Sequence, residues 1–118
     1  MTPSEINKKW TELQEKIAKD FDSELPDMKV MLFLIGVQEL GKGPLKFSKR
    51  QKEELMHIAN CRVLSISGYY QKAGTNQKGW PEWENMKPLP NLNIFEQENI
   101  LRQHIIEYFE SEEIFTFK

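Results

Sequence analysis

Apolar positions along this chain fall into four helical patterns separated by turn-forming residues. In the first pattern they recur at spacings of three and four residues, the period of an amphipathic helix with one buried face. Thr2 and Glu5 form a capping box at its start, with Pro3 at the first helical position. The apolar stripe comprises Ile6, Trp10, Leu13, Ile17 and Phe21.

The second pattern is an almost uninterrupted apolar run between Pro26 and Gly41. Apolar residues on every side predict a short helix that is buried nearly all round, and Gly41 favours the left-handed residue that ends it. Glu39 shares a face with apolar residues in this run, so we expect its carboxylate to take a partner. The candidates are Lys42, His57, Arg62 and His104.

The third pattern opens on a capping box formed by Ser48 and Gln51 and ends at Gly68. Its apolar face is expected to lie deepest at Ala59, Val63 and Ile66.

The fourth pattern opens on a capping box formed by Asn93 and Glu96. Residues 114–118 alternate weakly, as a strand does, and equally suit packing at a helix end or an oligomer contact. The apolar stripe of this helix comprises Ile94, Leu101, Ile105, Tyr108 and Phe109.

The segment between the third and fourth patterns, residues 69–92, keeps neither a helical nor a long strand period. A short β-hairpin is the economical solution, pairing residues 69–72 with residues 79–83 across a turn at residues 74–77. Pro81 confines the second strand to an edge. We therefore predict a mainly α fold: a compact bundle of about four principal helices, forming one domain over residues 1–118, with an irregular or hairpin excursion before the last helix.

Charge and cysteine content narrow the classes of function. Sixteen basic and eighteen acidic residues leave a formal charge of −2, which gives no global attraction to nucleic acid or to an anionic membrane. Cys61 is the single cysteine, and no apolar secretory segment follows Met1, so a reducing cytoplasm is expected. The apolar run is shorter than the roughly 20 residues that a bilayer requires, and no membrane partner is expected.

A basic stretch over residues 42–52 contains no acidic residue and runs into the first turn of the third helix. Helix N-termini attract anions and disfavour cations, so a bound phosphate group would relieve this conflict. Phosphate or nucleic-acid binding is therefore one hypothesis, and a solvated charged loop is the other interpretation. The predicted anion-binding residues are Lys46, Lys49, Arg50 and Lys52.

Glu53, His57 and Cys61 recur every four residues, on one side of the third helix. Such side chains ligate zinc or iron, and His104 on the last helix would complete a set of four. A metal protein or an enzyme built on Glu39, His57, Cys61 and His104 is thus a second hypothesis. Buried structural roles for the cysteine and the histidines are the other interpretation, and no cofactor is expected.

The aromatic residues Tyr69, Tyr70, Trp80 and Trp83 in the excursion either pin it to the core or contact a ligand or partner. No arrangement typical of nucleophilic catalysis is present in the sequence. The favoured interpretation is a non-enzymatic binding or scaffolding module, acting on a protein partner or by self-association, with a homodimer as one form.

Four segments resemble a family of small hypothetical bacterial proteins: residues 28–43, 55–59, 68–70 and 79–83. The resemblance extends over about residues 5–110. It implies a bacterial cytosolic origin and transfers no site, cofactor or substrate.

Overall fold

The computed structural model describes residues 2–43 and 45–112, and it contains the four predicted helices. A β-hairpin lies between the third and the fourth helix, so the mainly α fold class is confirmed. The elements are α1 (Pro3–Phe21), α2 (Met28–Leu40), α3 (Lys49–Leu64), a 3-10 turn (Ser65–Ser67), β1 (Tyr70–Thr75), β2 (Pro81–Asn85) and α4 (Ile94–Glu112). The alternating segment 114–118 lies outside the described residues.

The predicted capping boxes form at the starts of α3 and α4, and α1 has the half of its box in which Thr2 caps the Glu5 amide. In each, the side chain of the capping residue accepts a hydrogen bond from the amide three residues on. In α3 and α4 the later side chain also accepts from the amide of the capping residue. The pairs are Thr2 with Glu5, Ser48 with Gln51, and Asn93 with Glu96. These local hydrogen bonds fix where three helices begin.

Helices α1 and α4 pack together in one compact unit. The α1 stripe is buried as predicted from Ile6 to Ile17, but Phe21 is 51% exposed, because the chain leaves the helix at Asp22 in a left-handed conformation. On α4 the prediction for Ile94 is wrong, since this side chain in the first turn is 74% exposed. The buried residues of α4 are His104, Ile105, Ile106, Tyr108 and Phe109.

The second compact unit contains α3, the hairpin and all of α2 except its first residue. Helices α2 and α3 meet closely where Gly36 lies against the backbone of Leu55. A Cβ on Gly36 would lie 2.7 Å from the carbonyl carbon of Leu55 and closer still to its oxygen. The absence of a side chain at Gly36 is therefore what permits this approach.

The expectation that α2 is buried on nearly every side is wrong. Only Met31, Ile35, Gly36 and Leu40 are buried in this helix, and Val30 is 45% exposed. Apolar residues around a whole helix indicate burial only when other elements surround it, and here the side that carries Gly36 takes the closest contact.

Helix α3 ends one turn earlier than its apolar pattern does. Ala59 and Val63 are fully buried as predicted, whereas Ile66 is 42% exposed. Ile66 lies in the 3-10 turn, in which the change of period turns it away from the buried face of α3.

The hairpin forms, but its turn lies later in the chain than predicted. Lys72 pairs with Trp83 and Thr75 pairs with Pro81, with an irregularity in the register between Lys72 and Gly74. Gly74 adopts a φ of +127° within β1 instead of forming the turn. Residues 76–80 make the turn, and both strands pack on α3.

In the two ranges that the structure covers, no helix has both the length and the apolar character needed to cross a membrane.

Replacing Gly36 by Ala brings a methyl group against the Leu55 backbone, and we expect a steric cost of about 3 kcal/mol because backbone atoms cannot move aside as a side chain can. After a gain of about 1 kcal/mol in helix propensity, the free energy of unfolding should fall by about 2 kcal/mol. Urea unfolding measures the change. Gln38→Ala, at an exposed position of α2, is the matched control and should stay within about 0.5 kcal/mol of the wild type. A Gly36→Ala protein as stable as the control would contradict the close approach of α2 and α3.

Candidate functional site

An open groove lies between the first turns of α3 and the tip of the hairpin. Its larger part has a volume of about 740 Å³. That volume falls within the range of ligand-binding clefts, roughly 300–1,000 Å³. Its walls are formed by Arg50, Gln51 and Glu54 from α3 and by Asn76, Lys78 and Trp80 from the hairpin tip.

A smaller part of the groove, about 420 Å³ in volume, continues along α3 past Glu53 and His57. Four residues line both parts, which makes the two parts neighbours in one groove. The shared residues are Arg50, Glu54, Asn76 and Trp80.

The hairpin tip is held by hydrogen bonds that converge on Asn76. Its side-chain Oδ1 accepts from the amides of Lys78 and Trp80, both at 2.9 Å. Its own amide donates to the Trp80 carbonyl at 2.8 Å, and its carbonyl accepts from the Gly79 amide at 3.0 Å. The Lys42 ammonium, from the end of α2, donates to the Lys78 carbonyl at 2.7 Å. These bonds fix the backbone of Trp80.

Two successive aromatic contacts support the Trp80 indole. Phe33 of α2 packs edge to face on Phe47, with ring centroids 6.0 Å apart. Phe47 packs in the same manner on Trp80, at 6.4 Å. Each such pair contributes about 0.5–1.5 kcal/mol beyond the area it buries. The indole is partly exposed, so it is both fixed and available on the groove wall.

Charged side chains of both signs line the groove. Arg50, Glu53, Glu54 and Lys78 are all exposed, and none of them forms an ion pair within residues 2–43 and 45–112. Arg50 also lies in the first turn of α3, where the helix dipole disfavours a positive charge. The groove therefore offers unpaired charges of both signs beside a fixed indole.

Of the four predicted anion-binding residues, only Arg50 lines this groove. Lys46, Lys49 and Lys52 are exposed. Lys42, which belongs to the same basic stretch, is engaged in holding the hairpin tip. Glu53 and Glu54 line the groove beside Arg50, and they oppose a phosphate backbone there.

The structure separates the four predicted contact aromatics. Tyr69 and Tyr70 lie at the open end of the hairpin, where Tyr69 takes the ammonium of Lys87 over its ring at 4.7 Å. Trp80 lies at the opposite end, in the turn. Trp83 lies in the middle of β2, and its buried indole nitrogen has no hydrogen-bond partner in the described part of the chain. Trp80 alone lines the groove.

The predicted metal ligands have separate surroundings. The Cys61 sulfur lies 3.6 Å from Nε2 of His57, on α3. His104 lies on α4 in the other unit, where Nδ1 donates to the Ile100 carbonyl at 2.7 Å. Over residues 2–43 and 45–112, no three His, Cys, Asp or Glu side chains gather as a metal ion requires. The metal hypothesis gains no geometric support and stays a prediction.

Cys61 is a poor nucleophile in this fold. Its side chain is fully buried, and this burial raises the pKa of the thiol from 9.0 to about 11, although a hydrogen bond to its own backbone acts in the opposite direction. The thiolate, which is the reactive form, is therefore scarce at neutral pH.

Glu39 has one of its four candidate partners, Arg62. Arg62 of α3 lies with its Nε 3.3 Å from a carboxylate oxygen of Glu39, and both side chains are about one-fifth exposed. The ion pair joins α2 to α3. It compensates the charge of the Glu39 carboxylate, which is mostly removed from solvent at the edge of the core.

Most of the groove has no recognisable signal in the amino-acid sequence. Glu54 and Gln51 have the pattern of a solvated helix face, and Asn76 was assigned only to a turn. The one available signal was the ability of an Asn side chain to hydrogen-bond the backbone two residues on. Nothing in the pattern indicates that the turn faces the start of α3.

Comparison of this chain with protein-family models, with curated protein sequences and with solved structures found no significant match. The resemblance to small bacterial proteins accordingly stays a prediction.

Cys61 in the native protein should react with a disulfide reagent such as DTNB at least about a hundredfold more slowly at pH 7.5 than in urea. Burial keeps the reagent away from the Cys61 thiol and disfavours ionisation of the thiol. Unfolding removes both effects. Because the chain has a single cysteine, the absorbance of the released thiol reports this site alone. Native and unfolded rates within tenfold of each other would show that the thiol is open to solvent.

Removing the Lys42 ammonium by Lys42→Ala should loosen the hairpin tip, since the Lys78 carbonyl loses its donor. Amide hydrogen exchange of Gly79 and Trp80 is expected to become roughly three- to tenfold faster than in the wild type. The free energy of global unfolding should stay within about 1 kcal/mol of the wild-type value. Lys46→Ala removes an equally exposed lysine of the same loop and should leave both rates unchanged. Equal exchange in the two variants would mean that Lys42 does not fix the tip.

Proposed function

We propose that this protein is a non-enzymatic binding module of the bacterial cytosol, which holds a short segment of a protein partner in the groove between α3 and the hairpin tip. The cytosolic and bacterial parts of the proposal rest on the lone reduced cysteine and on the resemblance described above.

The observation that carries this proposal is the placement of Trp80. A partly exposed indole, fixed by Asn76 through the backbone and by Phe47 through its ring, faces a helix that carries polar and charged groups. Tryptophan is enriched among residues that dominate binding energy. Because its position is set before the partner arrives, little conformational entropy is lost on binding.

The lining of the groove favours a peptide over other ligands. Small-molecule sites are mostly apolar, whereas amides and charged groups predominate here. A nucleic-acid strand would bring phosphates past Glu53 and Glu54. An extended peptide supplies backbone carbonyl oxygens for the side-chain NH2 groups of Asn76 and Gln51, whose oxygens already accept hydrogen bonds within the protein, together with an apolar side chain for Trp80.

Cys61 and His104, two of the four residues of the enzyme hypothesis, have surroundings that favour a structural role. The Cys61 thiol is buried with a raised pKa, and the His104 ring is bonded to the backbone of its own helix. Both groups have structural roles in which no substrate is needed.

A displayed library of random peptides, panned on the protein, tests the proposal. Selected peptides are expected to bind Trp80→Ala at least about tenfold more weakly than the wild type, because truncation of a hot-spot anchor typically costs about 2 kcal/mol or more. Isothermal titration with a synthetic copy of a selected peptide gives the affinities. Trp80→Phe retains an aromatic ring that can contact Phe47, so its affinity for the peptide should lie between that of the wild type and that of Trp80→Ala.

Phe95→Ala is the matched control, since Phe95 is a 78% exposed aromatic residue on α4. It should leave the affinity unchanged. Peptides that bind Trp80→Ala as tightly as the wild type, or a library without enrichment, would refute the proposal. Binding of single-stranded RNA that is lost in Lys46→Ala and Lys49→Ala would establish the phosphate hypothesis instead. Dimerisation abolished by Trp80→Ala would identify self-association as the use of the groove.

A further inference from the structure

The groove is electrically polarised along its length. The residues that line both of its parts include Arg50 and Glu54, whose charges cancel. The larger part adds Lys78, and the smaller part adds Glu53. One end is therefore positive and the other negative, with Trp80 between them.

These charges are not satisfied by one another. Arg50 precedes Glu54 by four residues on α3, which is the less favourable order for an ion pair on a helix, and no ion pair between them is present. The Arg50 charge also opposes the dipole of α3. A carboxylate at the Arg50 and Lys78 end and an ammonium at the Glu53 and Glu54 end would each meet an unpaired opposite charge.

The spacing of the charges matches an extended peptide. Arg50 and Glu54 are separated along α3 by about 6 Å, at 1.5 Å per residue. Side chains two residues apart on a strand are separated by about 6.6 Å and point the same way, while the residue between them points to the opposite side. Two charged side chains can thus face α3 while the middle residue faces Trp80.

We infer that the groove selects an extended peptide segment in which one acidic and one basic side chain flank an apolar residue. The acidic side chain lies toward Arg50, at the end of the groove that Lys78 makes more positive, the basic one lies toward Glu53 and Glu54, and the apolar one packs on Trp80. This inference rests on the proposed peptide-binding function and specifies the chemistry of the partner segment.

Four capped peptides that differ only in their charges test the inference: Gly-Asp-Leu-Lys-Gly, Gly-Lys-Leu-Asp-Gly, Gly-Asp-Leu-Asp-Gly and Gly-Lys-Leu-Lys-Gly. Binding is followed by the indole ¹⁵N–¹H signal of Trp80 in NMR titrations, with the buried Trp10 of the other unit as internal reference. One of the two mixed-charge peptides is expected to bind roughly two- to fivefold more tightly than either like-charged peptide, the upper part of the range that one exposed ion pair supplies.

The double variant Arg50→Glu with Glu54→Arg reverses the central charges without changing the net charge. It also creates the favourable order for a helical ion pair, so folding is not endangered. The preference between the two mixed-charge peptides should weaken or reverse in this variant. Trp80→Ala has no indole at this position, so its titrations are followed by the backbone amide signals of Asn76 and Lys78, and all four peptides should bind it more weakly.

The outcomes separate the two levels of the proposal. If all four peptides shift the Trp80 signal with equal affinity, or if the double variant keeps the wild-type order, the charge inference is overturned while peptide binding stands. If no peptide shifts the Trp80 signal at millimolar concentration and the library also fails, both are overturned.

Discussion

The close approach of Gly36 to the backbone of Leu55 is the contact on which the arrangement of α2, α3 and the hairpin depends. A side chain at this point would force the two helices apart, since protein interiors have little free space to absorb a methyl group. The contact places α2 beside the middle of α3, and the Glu39–Arg62 ion pair joins the same helices further along. The first turns of α3 are left free to form one wall of the groove.

The groove follows from this frame through a short series of contacts. Phe33 lies one turn before Gly36 and supports Phe47, which supports the indole of Trp80. Lys42, just beyond the end of α2, ties down the tip of the hairpin. The exposed indole is thus held by structural contacts that require no ligand, and this is the property expected of a pre-organised binding surface.

Features that local interactions determine were predictable from the amino-acid sequence, and features that depend on tertiary contacts were not. Helix starts were predicted because a capping box lies within four residues, and the partner of Glu39 was among the predicted candidates because a half-buried carboxylate needs a cation. The predictions that α2 and Ile66 are buried were wrong, because periodicity does not reveal which side of a helix another element covers. Arg50, Trp80 and His57 were singled out for three different reasons, and only the fold shows that they line one groove.

The most direct test of the pre-organised groove is a set of nuclear Overhauser effects from the Trp80 indole protons in the ligand-free protein. The account predicts cross-peaks to the ring protons of Phe47, whose centroid lies 6.4 Å from that of Trp80. It also predicts an indole signal clearly shifted from that of an unstructured peptide. A Trp80 indole without these cross-peaks and at an unstructured shift would show that the anchor is not fixed before binding, which would contradict the account.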